Sequence, residues 1–152
     1  MILEYLALDE PLHLADVMAQ CRVDEGEEAY LAGSIIPAAR ALAESKTGCA
    51  IRHARYRDTF PDASRCVLSV GGVLAIESVT VDGAPVAYVA TVEARRTCIR
   101  APDHAGKECI VTYAAGIDIN HHPGVRTWML MVCGWLYAQR ELLGGDNGEP
   151  PP

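Results

Sequence analysis

The chain is poor in basic residues and lacks the short motifs that mark common catalytic sites. It has 13 lysines and arginines against 20 aspartates and glutamates, a formal net charge of −7 at pH 7. Proteins that bind nucleic acid by neutralising phosphates need clustered Lys and Arg, so this balance disfavours that class. No serine lies in a G-x-S-x-G context, and no G-x-x-x-x-G-K-[ST] run occurs. The sequence gives no positive sign of a serine nucleophile or a phosphate-binding loop.

Cysteine pairs of the C-x-x-C type are also missing. The spacings between the six cysteines fit neither a zinc ribbon nor a redox motif. Residues Met1 to Glu10 carry three carboxylates and no basic residue, so we expect no secretory signal. We therefore predict reduced, mostly buried thiols and a cytosolic setting. The six cysteines are Cys21, Cys49, Cys66, Cys98, Cys109 and Cys133.

Long apolar runs are absent as well. The longest, Trp128 to Ala138, is far short of the ~20 residues that a bilayer-spanning helix needs. Aromatic residues make up only 6% of the chain, and those on the predicted C-terminal helix are Trp128, Trp135 and Tyr137. We predict one soluble domain over residues 1–143 and no contact with a membrane. The Gly- and Pro-rich tail, residues 144–152, is predicted to be disordered.

The adjacent pair His121-His122 is the most obvious candidate for a metal site, with Asp118 or His104 as a further ligand. Adjacent side chains seldom both reach one ion, and no third ligand stands at a helical or C-x-x-C spacing. We interpret the segment as a polar loop that caps the last helix. The sequence therefore predicts no metal, no cofactor and no catalytic residue.

We interpret the other charged residues as lying on solvent-exposed faces of strands. Two groups of arginines are close in sequence, but their neighbours alternate as in strands. The scattered carboxylates lie at predicted strand ends, where most such groups are solvated. The arginines are Arg52, Arg55, Arg57, Arg95, Arg96 and Arg100, and the carboxylates are Asp58, Asp62, Glu77 and Asp82.

Two helices are predicted in the first third of the chain. The first covers Leu12 to Cys21. The second runs from an N-cap at Asp24 to about Lys46, with Gly48 as its C-terminal stop. We expect its inward residues to be Leu31, Ile35, Ala38, Ala39 and Leu42.

Pro37 lies inside the second helix. It removes one backbone donor and crowds the carbonyl of Gly33, four residues earlier. We expect a kink between these two residues.

After Gly48 the apolar pattern changes from helical to alternating. The dipeptide Asp82-Gly83 is a strong signal for a two-residue hairpin turn. Short strands held between helices indicate an α+β domain with mainly antiparallel pairing. The predicted strands are Ile51–Phe60, Arg65–Val70, Ile76–Val81, Pro85–Ala90, Thr97–Ala101 and Glu108–Ala114.

One long C-terminal helix, from Pro123 or Gly124 to about Leu143, is apolar nearly all round. A surface helix needs only one apolar stripe, so this helix must be covered on more than one side. We predict that the inward stripe consists of Trp128, Val132, Trp135 and Leu136. The candidates for contact with another subunit are Leu130, Met131, Tyr137 and Trp128.

Four segments, taken in order, also carry a resemblance. They are Pro11–Val17 (P-L-H-L-A-D-V), Cys21–Asp24 (C-R-V-D), Ile35–Gly48 (I-I-P-A-A-R-A-L-A-E-S-K-T-G), and Tyr113–Gly116 leading through Pro123 into a helix with Arg140-Glu141. Together they resemble the head–tail connector (adaptor) proteins of siphophage-type tailed phages and prophages. The resemblance covers both ends of the chain, roughly half its length.

The resemblance implies a non-enzymatic subunit of a closed homo-oligomeric ring, such as a dodecamer, at the head–tail junction of a virion assembled in the bacterial host cytoplasm. It implies portal protein and tail or head-completion proteins as partners. DNA would be only passing cargo, since an acidic channel repels phosphate. Two other classes stay open. One is a small cytosolic binding or adaptor domain, and the other is a metal- or thiol-dependent enzyme with no recognisable motif.

Overall fold

Residues that alternate in polarity form antiparallel sheets, and residues with helical spacing form helices before and after them. The computed structural model describes residues 1–23, 26–94 and 96–143. The α+β prediction is confirmed, while the predicted tail, 144–152, and the predicted N-cap Asp24 lie outside the described residues. Two compact units are distinguished. The β unit comprises Met1–Leu8 and Thr47–Ile117, and the helical unit comprises Asp9–Lys46 and the described residues from Asp118 onwards.

The β unit contains two antiparallel sheets. In the larger sheet the strand order is β1-β2-β8-β4-β5, and in the smaller it is β3-β7-β6. The strands are β1 (Ile2–Tyr5), β2 (Ala54–Phe60), β3 (Cys66–Val67), β4 (Val73–Val81), β5 (Ala84–Pro85), β6 (Val89–Glu93), β7 (Arg96–Arg100) and β8 (Cys109–Ala115).

The predicted hairpin turn is confirmed. Val81 pairs with Ala84, and the two residues between them have positive φ angles of 52° at Asp82 and 79° at Gly83. Two positive φ angles define the type I′ turn, whose twist matches that of the flanking strands. Asp and Gly tolerate this conformation better than other residues.

Several strand boundaries differ from the prediction. β1 was not predicted, because a short edge strand with apolar residues on both faces shows no alternation. The predicted strand Pro85–Ala90 divides between β5 and β6, and Arg65–Val70 shortens to the two residues of β3. The start of Ile51–Phe60 is a bend, so β2 begins only at Ala54.

The core of the β unit follows the strand alternation. Along β2 the residues Ala54, Tyr56 and Asp58 are buried, and the residues between them are more exposed. Tyr56 lies directly opposite Tyr113 of β8, with ring centroids 5.6 Å apart and planes 20° apart. Such an offset pair adds about 0.5–1.5 kcal/mol beyond its area burial.

The helical unit is built from α1 (Leu14–Cys21), α2 (Glu28–Tyr30), a π-helical segment (Leu31–Ile35), α3 (Ile36–Thr47) and α4 (Pro123–Leu143). The predicted glycine stop is confirmed, since Gly48 follows α3 with a φ of +68°. Among the described residues, no helix has both the length and the apolar character that a bilayer crossing requires.

The π-helical segment stands where the kink was expected. The N–H of Ile36 bonds to the carbonyl of Leu31, five residues earlier. This wider turn lies directly before Pro37, whose missing N–H and bulky ring strain a regular α-helix. The irregularity is therefore a widened turn, which adds one residue to the helix.

That extra residue changes which face of the helix is buried. Ala38 and Leu42, predicted to point inward, are exposed, and Leu42 is 46% accessible. Ala43, the residue after Leu42, is buried in its place, and Leu31, Ile35 and Ala39 are buried as predicted. The prediction for Ala38 and Leu42 was wrong because one added residue rotates every later side chain by about 100°.

Candidate subunit interface

α4 begins where the sequence predicted. The carbonyl of His122 accepts the N–H groups of Val125 and Arg126 at 2.9 and 3.1 Å, and Pro123 occupies the first helical position. Proline suits this position because its missing donor would be unpaired there anyway. Just upstream, the Asp118 side chain accepts the N–H of Asn120 at 2.9 Å.

The buried line of α4 is not the predicted one. Met129 and Cys133, one turn apart, are fully buried. Trp135, predicted to point inward, is 59% exposed. Periodicity alone could not locate the buried face, since both faces are apolar and neighbouring positions differ by only 100°. The other three members of the predicted inward stripe, Trp128, Val132 and Leu136, are half-buried.

The exposed side of α4 forms a continuous stripe. Met131, one of the four interface candidates, is 62% exposed. Thr127 and Trp135 flank it at spacings of four residues and are also exposed. The other interface candidates, Leu130, Tyr137 and Trp128, are half-buried. Of the four candidates Met131 is the most exposed, and Trp135, predicted to point inward, lies beside it on the exposed side.

A groove of about 480 Å³ lies next to this stripe. The ammonium group of Lys46 stands 5.9 Å from the Trp128 ring centroid, within range of a cation–π contact. The exposed Leu42 reaches this groove because the π-helical segment rotated it outward. The residues that line the α3–α4 groove are Leu42, Ser45, Lys46, Trp128, Val132 and Trp135.

Ion pairs join elements of the helical unit. Arg126 of α4 pairs with Asp16 of α1 at 2.7 Å. Arg40 of α3 is buried and pairs with Glu10 at 2.7 Å and with Glu44 at 2.8 Å. Two carboxylates around one guanidinium satisfy its charge, which a buried arginine requires. The apolar surface thus rests on a defined scaffold.

The β unit contains one buried polar cluster that the sequence did not reveal. Asp58 accepts hydrogen bonds from the Tyr113 hydroxyl at 2.9 Å, the Ser69 hydroxyl at 2.9 Å and the Ser69 N–H at 2.8 Å. Burial alone would raise the pKa of the Asp58 carboxyl, but these hydrogen bonds lower it below its ordinary value. The expectation that Asp58 is solvated was wrong, and its inward position in the β2 alternation was the available signal.

The other titratable groups considered from the sequence are the loop histidines and the cysteines. His121 and His122 are exposed, and His121 Nδ1 is 3.4 Å from Asp118 Oδ2. Within the described ranges, no three His, Cys, Asp or Glu residues converge as metal ligands. Four of the six cysteines are buried, which confirms that most thiols are inaccessible. Burial raises the pKa of Cys66 and of Cys133 to about 12, which disfavours the reactive thiolate.

Three arginines of the two sequence groups contact neighbouring residues, and Arg95 lies outside the described residues. Arg55 pairs with Glu4 and Glu77, and Arg100 pairs with Glu93. The guanidinium of Arg52 lies 4.2 Å from the Tyr5 ring centroid. In the described part of the chain, these contacts agree with charged strand faces.

Comparison with known proteins finds similarity of fold rather than of sequence. No protein-family profile matches the chain, and no curated protein matches its sequence. Its fold does match a solved structure described as the neck of an empty GTA (gene transfer agent) particle computed with C6 symmetry. The TM-score is 0.63 at 19% identity, over 100% of this chain and 89% of that chain. At this level of identity, the match shows a shared fold.

Proposed function

We propose that this chain is a non-enzymatic structural subunit of the neck of a phage-like particle. In this proposal the subunits form a ring that docks on the portal, completes the head and offers a surface for tail attachment. The observation that carries the proposal is the full-length fold match to a neck component. That match agrees with the resemblance of both ends of the sequence to head–tail connector proteins.

The exposed apolar stripe of α4 supports repeated contacts between subunits. Met131 and Trp135 place large apolar side chains in water, next to the α3–α4 groove. Met and Trp are enriched in the buried centres of protein interfaces. A ring with rotational symmetry joins two different surfaces of each subunit, and we propose this stripe as part of one of them.

Charge supports the passage of DNA rather than its retention. The net charge of −7 lets a channel built from several copies repel phosphate groups, so that DNA slides through. In this account the partners are other copies of the chain, the portal, and tail or head-completion proteins. The location is the head–tail junction.

The experiment that tests the proposal mixes the purified chain with portal rings and images the product by negative stain. We expect an added density at the portal exit and co-sedimentation of both proteins. A monodisperse monomer that never joins the portal would instead favour the small binding-domain alternative. For the enzyme alternative, the decisive result is a stoichiometric metal that is lost on His121→Ala or His122→Ala.

A further inference from the structure

β6 is an edge strand without the features that usually protect a sheet edge. Within the described residues it pairs with β7 on one side only. Protected edges are short, bulged, or interrupted by proline or charge. β6 has five residues, Val-Ala-Thr-Val-Glu, all exposed except the last, and its charge is confined to Glu93. Val92 is 77% exposed.

The other edges of the described sheets differ from β6. β3 and β5 have two residues each, and β5 contains Pro85. The part of β4 beyond β5 is interrupted by two register shifts. β1, with four residues, is the other edge long enough to pair with an added strand.

Hydrogen bonding in the smaller sheet shows which atoms of β6 face outward. The carbonyl of Thr97 accepts the N–H of Leu68 at 2.9 Å, on the side of β7 away from β6. Thr97 lies opposite Val92 of β6, so these two form a non-hydrogen-bonded pair. The backbone N–H and C=O of Val92 therefore point to the open side of β6, as do those of Ala90 two residues earlier.

The segment from Ile2 to Leu8 exposes apolar side chains that a neighbouring chain can bury. Its large apolar side chains are exposed in a row, and Leu8 is 91% exposed. β1 has one register shift, between Ile2 and Glu4, and continues to Tyr5. The exposed large apolar residues of the segment are Ile2, Leu3, Tyr5, Leu6 and Leu8.

We propose that β6 of one copy pairs with the β1 edge of a neighbouring copy, as a second contact that closes the ring. A rotational ring needs two different complementary surfaces, whereas β6 paired with β6 would give a twofold dimer that cannot close one. Strand addition supplies main-chain hydrogen bonds, and the flanking apolar side chains cover one another. This inference rests on the proposed ring function.

The first test compares Val92→Pro with Val92→Thr. Proline removes the outward N–H of Val92 and keeps the bonds to β7, while threonine keeps both the N–H and the β-branched shape. By light scattering on a sizing column, we expect the wild type and Val92→Thr to form rings. Val92→Pro should stay monomeric with a native circular dichroism spectrum. Rings of Val92→Pro would overturn the strand pairing and leave the ring function standing.

The second test identifies the partner strand by disulfide trapping. Val92→Cys and Leu3→Cys chains, one carrying a mass tag, are mixed and oxidised mildly beside the wild type. We expect a mixed crosslinked dimer that neither variant gives alone. A dimer of Val92→Cys alone would show β6–β6 pairing and overturn the proposal. A wild type that stays monomeric, alone and with portal, would reject the ring and this pairing together.

Discussion

The Tyr113 hydroxyl donates a hydrogen bond to the Asp58 carboxylate across the β2–β8 pair, at 2.9 Å. Asp58 is buried and receives two further hydrogen bonds from Ser69. A buried charge is tolerated only when its hydrogen-bonding capacity is satisfied in this way. The cluster therefore joins the central strands of the larger sheet to the segment that follows β3.

This cluster makes the stability of the β unit dependent on pH. Hydrogen bonds hold the pKa of Asp58 below its ordinary value of 3.8, so the folded state favours the carboxylate. The resulting stability is fully present above about pH 4 and is lost as pH falls through the lower, folded-state pKa. Urea midpoints between pH 7 and 3 should fall in the wild type, and the fall should be smaller in Asp58→Asn.

Asp103→Asn is the matched control for this pH series, since Asp103 is exposed. Its urea midpoint should change with pH as that of the wild type does. Tyr113→Phe should cost about 1.5–3 kcal/mol at pH 7, because it removes a hydrogen bond to a buried charge. If the urea midpoint fell equally with pH in the wild type and in Asp58→Asn, the role of the Asp58 cluster would be contradicted.

Met131→Glu should prevent ring assembly while leaving the fold nearly intact. Met131 is largely exposed in the single chain, so the charge should change the free energy of unfolding by no more than ~0.5 kcal/mol. In an interface core the same unpaired charge would cost about 3–5 kcal/mol. Ala41→Glu, at an exposed position of α3, is the control that should still assemble. Normal rings from Met131→Glu would remove the α4 stripe from the interface.

Trp135→Ala and Met129→Ala should have opposite consequences. Met129 is fully buried, so its truncation should cost about 2–5 kcal/mol of folding stability. Trp135 is 59% exposed, so its truncation should cost much less folding stability in the monomer while weakening assembly. Chemical denaturation and light scattering on both variants measure the two effects. A larger stability loss for Trp135→Ala would restore the predicted inward stripe.

Thiol accessibility gives an independent check of the packing. Only Cys21 and Cys49 are partly exposed, so at most two thiols per chain should react quickly with Ellman's reagent in the native protein. All six should react after denaturation without a reductant, as expected for reduced cysteines. Two or fewer free thiols in the denatured protein would contradict the cytosolic prediction.

The sequence predicted the order of elements well because helical and alternating patterns are local signals. The hairpin at Asp82-Gly83 and the start of α4 at Pro123 were both read from residues that specify one backbone conformation. The rotation of Leu42 to the surface could not be read in this way. It depends on a widened turn before Pro37, and sequence periodicity assumes a uniform repeat.

The candidate site was less predictable for a related reason. A helix with apolar residues on every side does not show which side its own domain covers. Met129 and Trp135 are both good core residues by type, and only packing against the other helices of the unit decides between them. The open edge of β6 was likewise hidden, since exposure of a strand depends on which strands become its neighbours.

The most direct test of the central claim is imaging of the chain with portal rings, by negative stain with class averaging. We expect a closed ring of this chain seated on the portal, which is lost in Met131→Glu but not in Ala41→Glu. A chain that stays monomeric at every concentration and leaves the portal bare would contradict the account.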